Sequence, residues 1–136
     1  MTPPEGFTPH KRKSPLTDPW EPLFSKRDKD AIIIGLYAAE AHCNSRGLIH
    51  GGLISALADN AMGLSCAGHH DRARLTGLVT VSLHIDFTGA AKIGDWVEFV
   101  TTSVVAGKSL DAAQGCVTAN GKVIAHINAT FRVYMS

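Results

Sequence analysis

The 136 residues suffice for one domain with a hydrophobic core and are too few for two ordinary ones. With 45% hydrophobic and 18% charged residues, the composition suits a compact fold and excludes wholesale disorder. A formal charge of +1 selects no polyanionic partner such as nucleic acid, and the one basic cluster, His10 to Lys13, reads as a solvated arm.

The longest apolar stretch, Ala31 to Ala39, falls far short of the ~20 residues of a bilayer span, so no membrane insertion is expected. Met1 to Lys13 lacks the apolar run of a secretory signal, which makes the cytoplasm the expected location. Cys43, Cys66 and Cys116 are odd in number and lack metal-ligand spacing; they read as reduced structural thiols.

Residues 1 to about 22 hold all six prolines, so this segment cannot form a continuous helix or a central strand. It reads as an arm, whose end could be tacked to a surface, or over a substrate or subunit boundary, by Trp20, Leu23 and Phe24. From Ala31 the run AIIIGLYAAEA predicts a buried strand, broken at Asn44 to Gly47. Gly52 to Cys66, with Leu53, Ala56, Leu57, Met62 and Leu64 at mixed three- and four-residue spacings, predicts the one long helix. Gly68 to Arg74, with His69, His70 and Asp71, reads as a polar turn.

Four alternating segments follow. Leu78 to Phe87 is expected to turn Val79, Val81, Leu83, Ile85 and Phe87 one way and Leu78, Thr80, Ser82, His84 and Asp86 the other. Trp96 to Ala106 and Leu110 to Ala119 are the next strands. Asn120-Gly121 signals a two-residue hairpin because both positions must accept positive φ. In the last strand, Val123 to Tyr134, the residues Val123, Ala125, Ile127, Ala129, Phe131 and Val133 share one face. A strand, a long helix and four antiparallel strands make an α+β fold, a curved antiparallel sheet burying its apolar face against one central helix.

Chemistry concentrates where the loop meets the helix. Asn44-Ser45-Arg46-Gly47-Leu48-Ile49-His50-Gly51-Gly52 leads into the first turn, where backbone N–H groups lack intrahelical partners and the helix end carries partial positive charge. Glycine there lets a ligand approach the backbone, which suits an oxyanion; a purely steric turn would use the same residues. Asp59, followed by Asn60, lies mid-helix among apolar residues, and a carboxylate there needs a chemical role or a partner. Gly51 and Asp59 are eight positions apart, about 12 Å along a helix, so they cannot serve one carbonyl within one chain. If both act, a two-fold dimer must bring Gly51 of one copy to Asp59 of the other.

The run HCNSRGLIHGGLISALADNAMG resembles the signature of the hotdog-fold acyl-CoA thioesterases, in the subgroup of the phenylacetate-pathway (PaaI-type) enzymes, and VTVSLHIDFTGAAKIGD is similar to that family's following strand and turn. The resemblance covers most of residues 31 to 134. It implies a single hotdog domain over 1–136, with acyl-CoA as substrate. Asp59 would then be general base or nucleophile, the Gly51 N–H the oxyanion donor, and Asn44, His50 and Thr80 neighbours of the reacting groups, with Gly47, Gly52 and Asn60 as substrate-binding positions. It also implies a homodimer with sites between subunits, paired into a homotetramer. Thioester hydrolysis needs no metal or redox cofactor, and none is expected.

Other readings of these residues stay open. Ser82, His84 and Asp86 share a strand face, but i and i+2 side chains stand ~7 Å apart, too far for the direct hydrogen bonds of a triad. His69, His70 and Asp71 read as solvated rather than metal-binding. A hotdog dehydratase or hydratase would use a catalytic histidine, which His50 keeps open, and a non-catalytic acyl-CoA binding module would retain the fold. The acyl group is left open among aromatic, short and medium chains, and the nucleotide phosphates among Arg72, Arg74, Lys92, Lys108 and Arg132.

Overall fold

The backbone of a computed structural model, which describes residues 1–136, runs β1 (Thr8–Pro9), β2 (Phe24–Asp28), β3 (Ala31–Tyr37), α1 (Gly51–Ala67), β4 (Leu75–Phe87), β5 (Trp96–Val105), β6 (Leu110–Ala119) and β7 (Lys122–Met135), with 3-10 turns at Asp18–Trp20 and Glu40–His42. The strands form one antiparallel sheet in the order β1-β2-β3-β5-β6-β7-β4. α1 is 17 residues long and packs against β3, β4, β5, β6 and β7, so the sheet curls around it as the sequence predicts.

Alanine, leucine and methionine favour helix along α1, and the buried pairs Leu53–Ile54, Leu57–Ala58, Ala61–Met62 and Ser65–Cys66 recur with the helical period. They meet Ile34, Leu36, Val97, Phe99, Ala125, Ile127 and Phe131 from the concave face of the sheet. Each large side chain buried this way contributes about 1.5–3 kcal/mol. Ser65 ties the helix to the sheet by accepting the Ile32 N–H at 3.1 Å and donating to the Ala61 carbonyl at 2.7 Å. Ala56 and Leu64, counted with the apolar face from their spacing, lie only partly buried on the opposite side.

Several expectations need correction. The sheet has seven strands rather than five, because β1 and β2 lie in the stretch read as arm and loop. β2 carries little apolar periodicity and is held by its ladder to β3, turned at Lys29 with φ 56°. The first strand ends at Tyr37, not in the forties, because the backbone turns into the Glu40–His42 3-10 segment. Alternation in β4 breaks between Thr80 and Ser82, where Val81 is bulged out of register with β7. The bulge reverses the facing: Leu78 and Thr80 look toward α1 before it, Ile85 and Phe87 after it, and Ser82, His84 and Asp86 no longer share a face with Thr80. Another irregularity, at Ile124, buries that residue and leaves Val123 exposed, so the single face expected for β7 begins only at Ala125.

The arm is docked rather than loose. Phe7 packs edge-on to Trp96 at 5.0 Å, over the convex face of β3 and β5, beside Ile33. The Trp96 indole lies over Gly35, where an added Cβ would come within 2.4 Å of it, so only glycine fits. His10, expected in solvent, is buried; its backbone N–H donates to the Leu23 carbonyl and its ring bonds Ser25 Oγ at 3.0 Å. His70, also expected in solvent, is paired through Nε2 with the fully buried Asp111 at 2.7 Å, and Asp111 also accepts the Gly107 N–H at 3.0 Å.

Two outcomes follow from these polar contacts. Asp111→Ala leaves the His70 ring and the Gly107 amide without their acceptor and should lower the unfolding free energy by about 3–5 kcal/mol, read by urea denaturation. Burial holds the His10 imidazole below its ordinary pKa of 6.5, with Glu21 opposing and Lys13 and Arg12 adding to the depression. The unfolded chain therefore binds this proton where the native chain does not. Its contribution is complete above 6.5 and is lost as the pH falls below that value. Between about pH 7.5 and about pH 5.5 the melting temperature should fall less in His10→Gln than in the parent protein.

Candidate active site

α1 leaves open the face that carries Ser55, Ala56, Asp59, Asn60, Gly63 and Leu64, and here a groove of about 350 Å³ runs along it. One wall is β4, from Leu75 to Thr80, and the other includes His10 and Arg12 of the arm, with Arg72 at the turn after the helix. Asp59 is half-buried in the groove, and the Thr80 hydroxyl donates to its Oδ1 at 2.6 Å. That bond fixes the plane of the carboxylate and leaves Oδ2 without a protein partner. The β4 bulge is what makes it possible, since it keeps Thr80 on the helix side.

The loop before α1 is built from its own polar groups. Asn44 Oδ1 accepts the Arg46 N–H at 2.9 Å and the Leu48 N–H at 3.2 Å, which leaves its side-chain amide N–H groups uncommitted. Gly47 closes this turn at φ 76°, a conformation that favours glycine, and no side chain faces it within 4 Å. His50 is the N-cap: its Nδ1 accepts the Gly52 N–H at 2.8 Å. The Gly51 N–H donates to no protein atom. A Cβ at Gly51 would stand 3.2 Å from Phe87 Cζ, so that ring flanks the free amide.

Thus Asp59, Asn60 and Thr80 come together in the groove, while Asn44, Gly47, His50, Gly51 and Gly52 gather at the N-terminal end of α1, some 12 Å away by helical rise. His42, which the residue pattern did not single out, supports the loop from beneath: it is buried, its Nδ1 accepts the Ala39 N–H at 2.9 Å, its Nε2 donates to the Trp20 carbonyl at 2.8 Å, and its own carbonyl accepts the His50 N–H. Arg12 was also missed, because only the docked arm brings it to the groove. His84 Nε2 and Asp86 Oδ2 meet at 3.0 Å, contrary to the spacing estimate, since both side chains are exposed and lean along the strand. Ser82 makes no bond to them, and no triad forms.

The thiols are not poised for nucleophilic chemistry. Burial, with the Asp111 charge adding to it, pushes Cys66 up to about 12. Burial and Glu40 raise Cys43, and burial and Glu98 raise Cys116. No three histidine, cysteine or acidic side chains converge as a metal centre. No helix is long and apolar enough to cross a membrane.

A sequence model described as the thioesterase superfamily matches residues 46–117, which span the helix and the strands that flank it. A Pseudomonas aeruginosa protein whose name assigns it, provisionally, to the esterases is 36% identical over 98% of both chains. A mutant of the phenylacetic acid degradation protein PaaI from Thermus thermophilus superposes with a TM-score of 0.75 at 21% identity, covering 88% of this chain and 98% of that one. A Bacillus halodurans protein solved with CoA gives 0.72 at 25% identity over 82% and 74%. The chain belongs to the thioesterase superfamily and has the hotdog fold of the PaaI-type proteins it was expected to resemble.

Proposed function

We propose that this thioesterase hydrolyses an acyl-coenzyme A, with the Asp59 carboxylate driving attack on the thioester carbonyl and the Gly51 N–H of a second copy receiving the oxyanion. The observation that carries this reading is the pairing of an uncommitted amide at the start of α1 with an oriented, half-buried carboxylate on its open face. Asp59 Oδ2 acts on a water or on the carbonyl carbon itself, and Thr80 holds the carboxylate in place. Negative charge developing on the carbonyl oxygen is met by the Gly51 amide and the positive end of the helix, together supplying about 3–4 kcal/mol. Asn44, through its free amide N–H groups, is positioned to bind the thioester or the attacking water near Gly51. Gly47 and Gly52 serve that end by shaping the loop and the cap, and Asn60 lines the acyl groove.

β4 supports the dimer. It pairs only with β7, its other edge is bare over 13 residues, and it exposes Val79, Val81 and Phe87 by 54%, 61% and 52%. A long edge strand with apolar side chains is a site for pairing with another strand. A second copy joined along β4 would cover these residues and bring its helix start toward the Asp59 groove, because Thr80 and Phe87 of one strand flank the two halves of the site. Coenzyme A as the thiol is supported by the likeness to the CoA-bound Bacillus halodurans protein. Against a hydratase, His50 Nδ1 is committed to the Gly52 amide. The Thr80 bond, which orients the Asp59 carboxylate in the groove, favours turnover over binding alone.

Asp59→Asn should lower kcat for acyl-CoA hydrolysis by about a hundredfold or more with an unchanged melting temperature, followed by release of free thiol. Retained turnover would refute the role of the carboxylate. Gly51→Pro removes the amide hydrogen at a position where proline suits a helix start, and His50 already has the extended ψ of 135° that a following proline needs. Each variant alone should be inactive. Refolded together they should regain activity, because mixed dimers hold one site with both groups intact; no recovery would place both groups in one chain or outside the chemistry.

A further inference from the structure

The groove beside Asp59 has an unusual charge balance for a site that would take a plain acyl chain. Leu64, Leu78 and Phe131 supply apolar wall, yet Arg12 and Arg72 also line it, from the arm and from the turn after α1. Neither arginine meets an acidic group: the ion pairs of the molecule join Lys13 to Glu21, His70 to Asp111 and His84 to Asp86. Two cations and one carboxylate, Asp59, therefore line the same groove, and Asp59 Oδ1 is already taken by Thr80. His10 stands in the same wall, but its ring is bonded to Ser25 and burial depresses its protonation, so the positive charge belongs to the arginines.

The groove also has a direction. From Asp59 it follows α1 through Gly63 and Leu64 to Ala67, about 12 Å of helix, and Arg72 lies past the helix end. With the thioester carbonyl at Asp59, a part of the substrate extending from it along α1 runs through this groove toward Arg72.

We propose that Arg12 and Arg72 form an anion-binding subsite in the acyl groove, so that the preferred substrates are acyl-CoAs whose acyl chain ends in a carboxylate. A guanidinium offers a carboxylate two parallel N–H donors, which favours this end group over a methyl. The inference rests on the acyl-CoA hydrolase reading above and adds the substrate class. It also explains why the arm is docked, since Phe7 on Trp96 and His10 bonded to Ser25 hold the segment that carries Arg12 at the groove.

A nucleotide phosphate presents similar chemistry to an arginine, and the test separates the two. kcat/KM is measured for two acyl-CoAs of equal chain length, one ending in carboxylate and one in methyl, and for the same acyl groups on pantetheine, which lacks the nucleotide. The parent protein should favour the carboxylate on both carriers. Arg12→Gln and Arg72→Gln, both at exposed positions, should each reduce that preference by about tenfold. No preference in the parent protein, or a loss in the variants that is equal for both acyl groups and vanishes on pantetheine, would overturn the proposal. Hydrolysis of the methyl-ended ester that depends on Asp59 would leave the thioesterase reading standing in either case; if the parent protein turned over no ester on either carrier, both would fall.

Discussion

Burial of one stripe of α1 against the concave sheet is the constraint on which the rest of the molecule depends. Because Leu53, Leu57, Ala61 and Cys66 must face Ile34, Val97, Phe99 and Ile127, the rotation of the helix about its axis is set by the core. Asp59, Asn60 and Gly63 then fall on the opposite face, where the only cover is what the sheet edges and the arm provide. A carboxylate that would be costly inside the core is thereby left half in solvent and within reach of Thr80.

The two edges of the sheet do different work around that open face. β4 is long, and its bulge at Val81 lets a single strand present Thr80 to Asp59 and Phe87 to Gly51 while both lie on the helix side. The opposite edge is short and irregular: β1 has two residues, and the chain before it is pinned by Phe7 on Trp96. That docking needs Gly35, since any side chain there would collide with the indole. Small residues at such close approaches recur; a Cβ at Gly115 would strike the Val100 carbonyl.

Polar order in the loop before α1 is largely internal. His42, Asn44 and His50 accept the backbone N–H groups of Ala39, Arg46, Leu48 and Gly52, so the loop holds the helix start in place without a ligand. Among the N–H groups left without a protein partner is that of Gly51, a fixed donor at the positive end of a dipole. A preformed donor needs no reorganisation when charge appears on a substrate oxygen, which is the condition for electrostatic stabilisation.

The sequence by itself determined the elements whose signals are local. The helix expected over Gly52 to Cys66 is found at Gly51–Ala67, β6 has the expected limits Leu110–Ala119, and the Asn120-Gly121 turn takes the positive φ values of 49° and 85° that the residue types require. Backbone preferences and side-chain periodicity act over a few residues, and so do the glycines and the carboxylate that mark the candidate site. Only the tertiary structure decided which way β4 faces past Val81, that Phe24–Asp28 is a strand, that His70 serves Asp111, and that the proline-rich arm places Arg12 in the wall of the groove that holds Asp59. Each of these is settled by a partner distant in the chain: the register of β7, the ladder of β3, the hairpin of β5 and β6, and the Trp96 indole. A bulge or a docked arm has no local period to betray it, because the free energy that selects it comes from contacts that exist only once the sheet has closed around the helix.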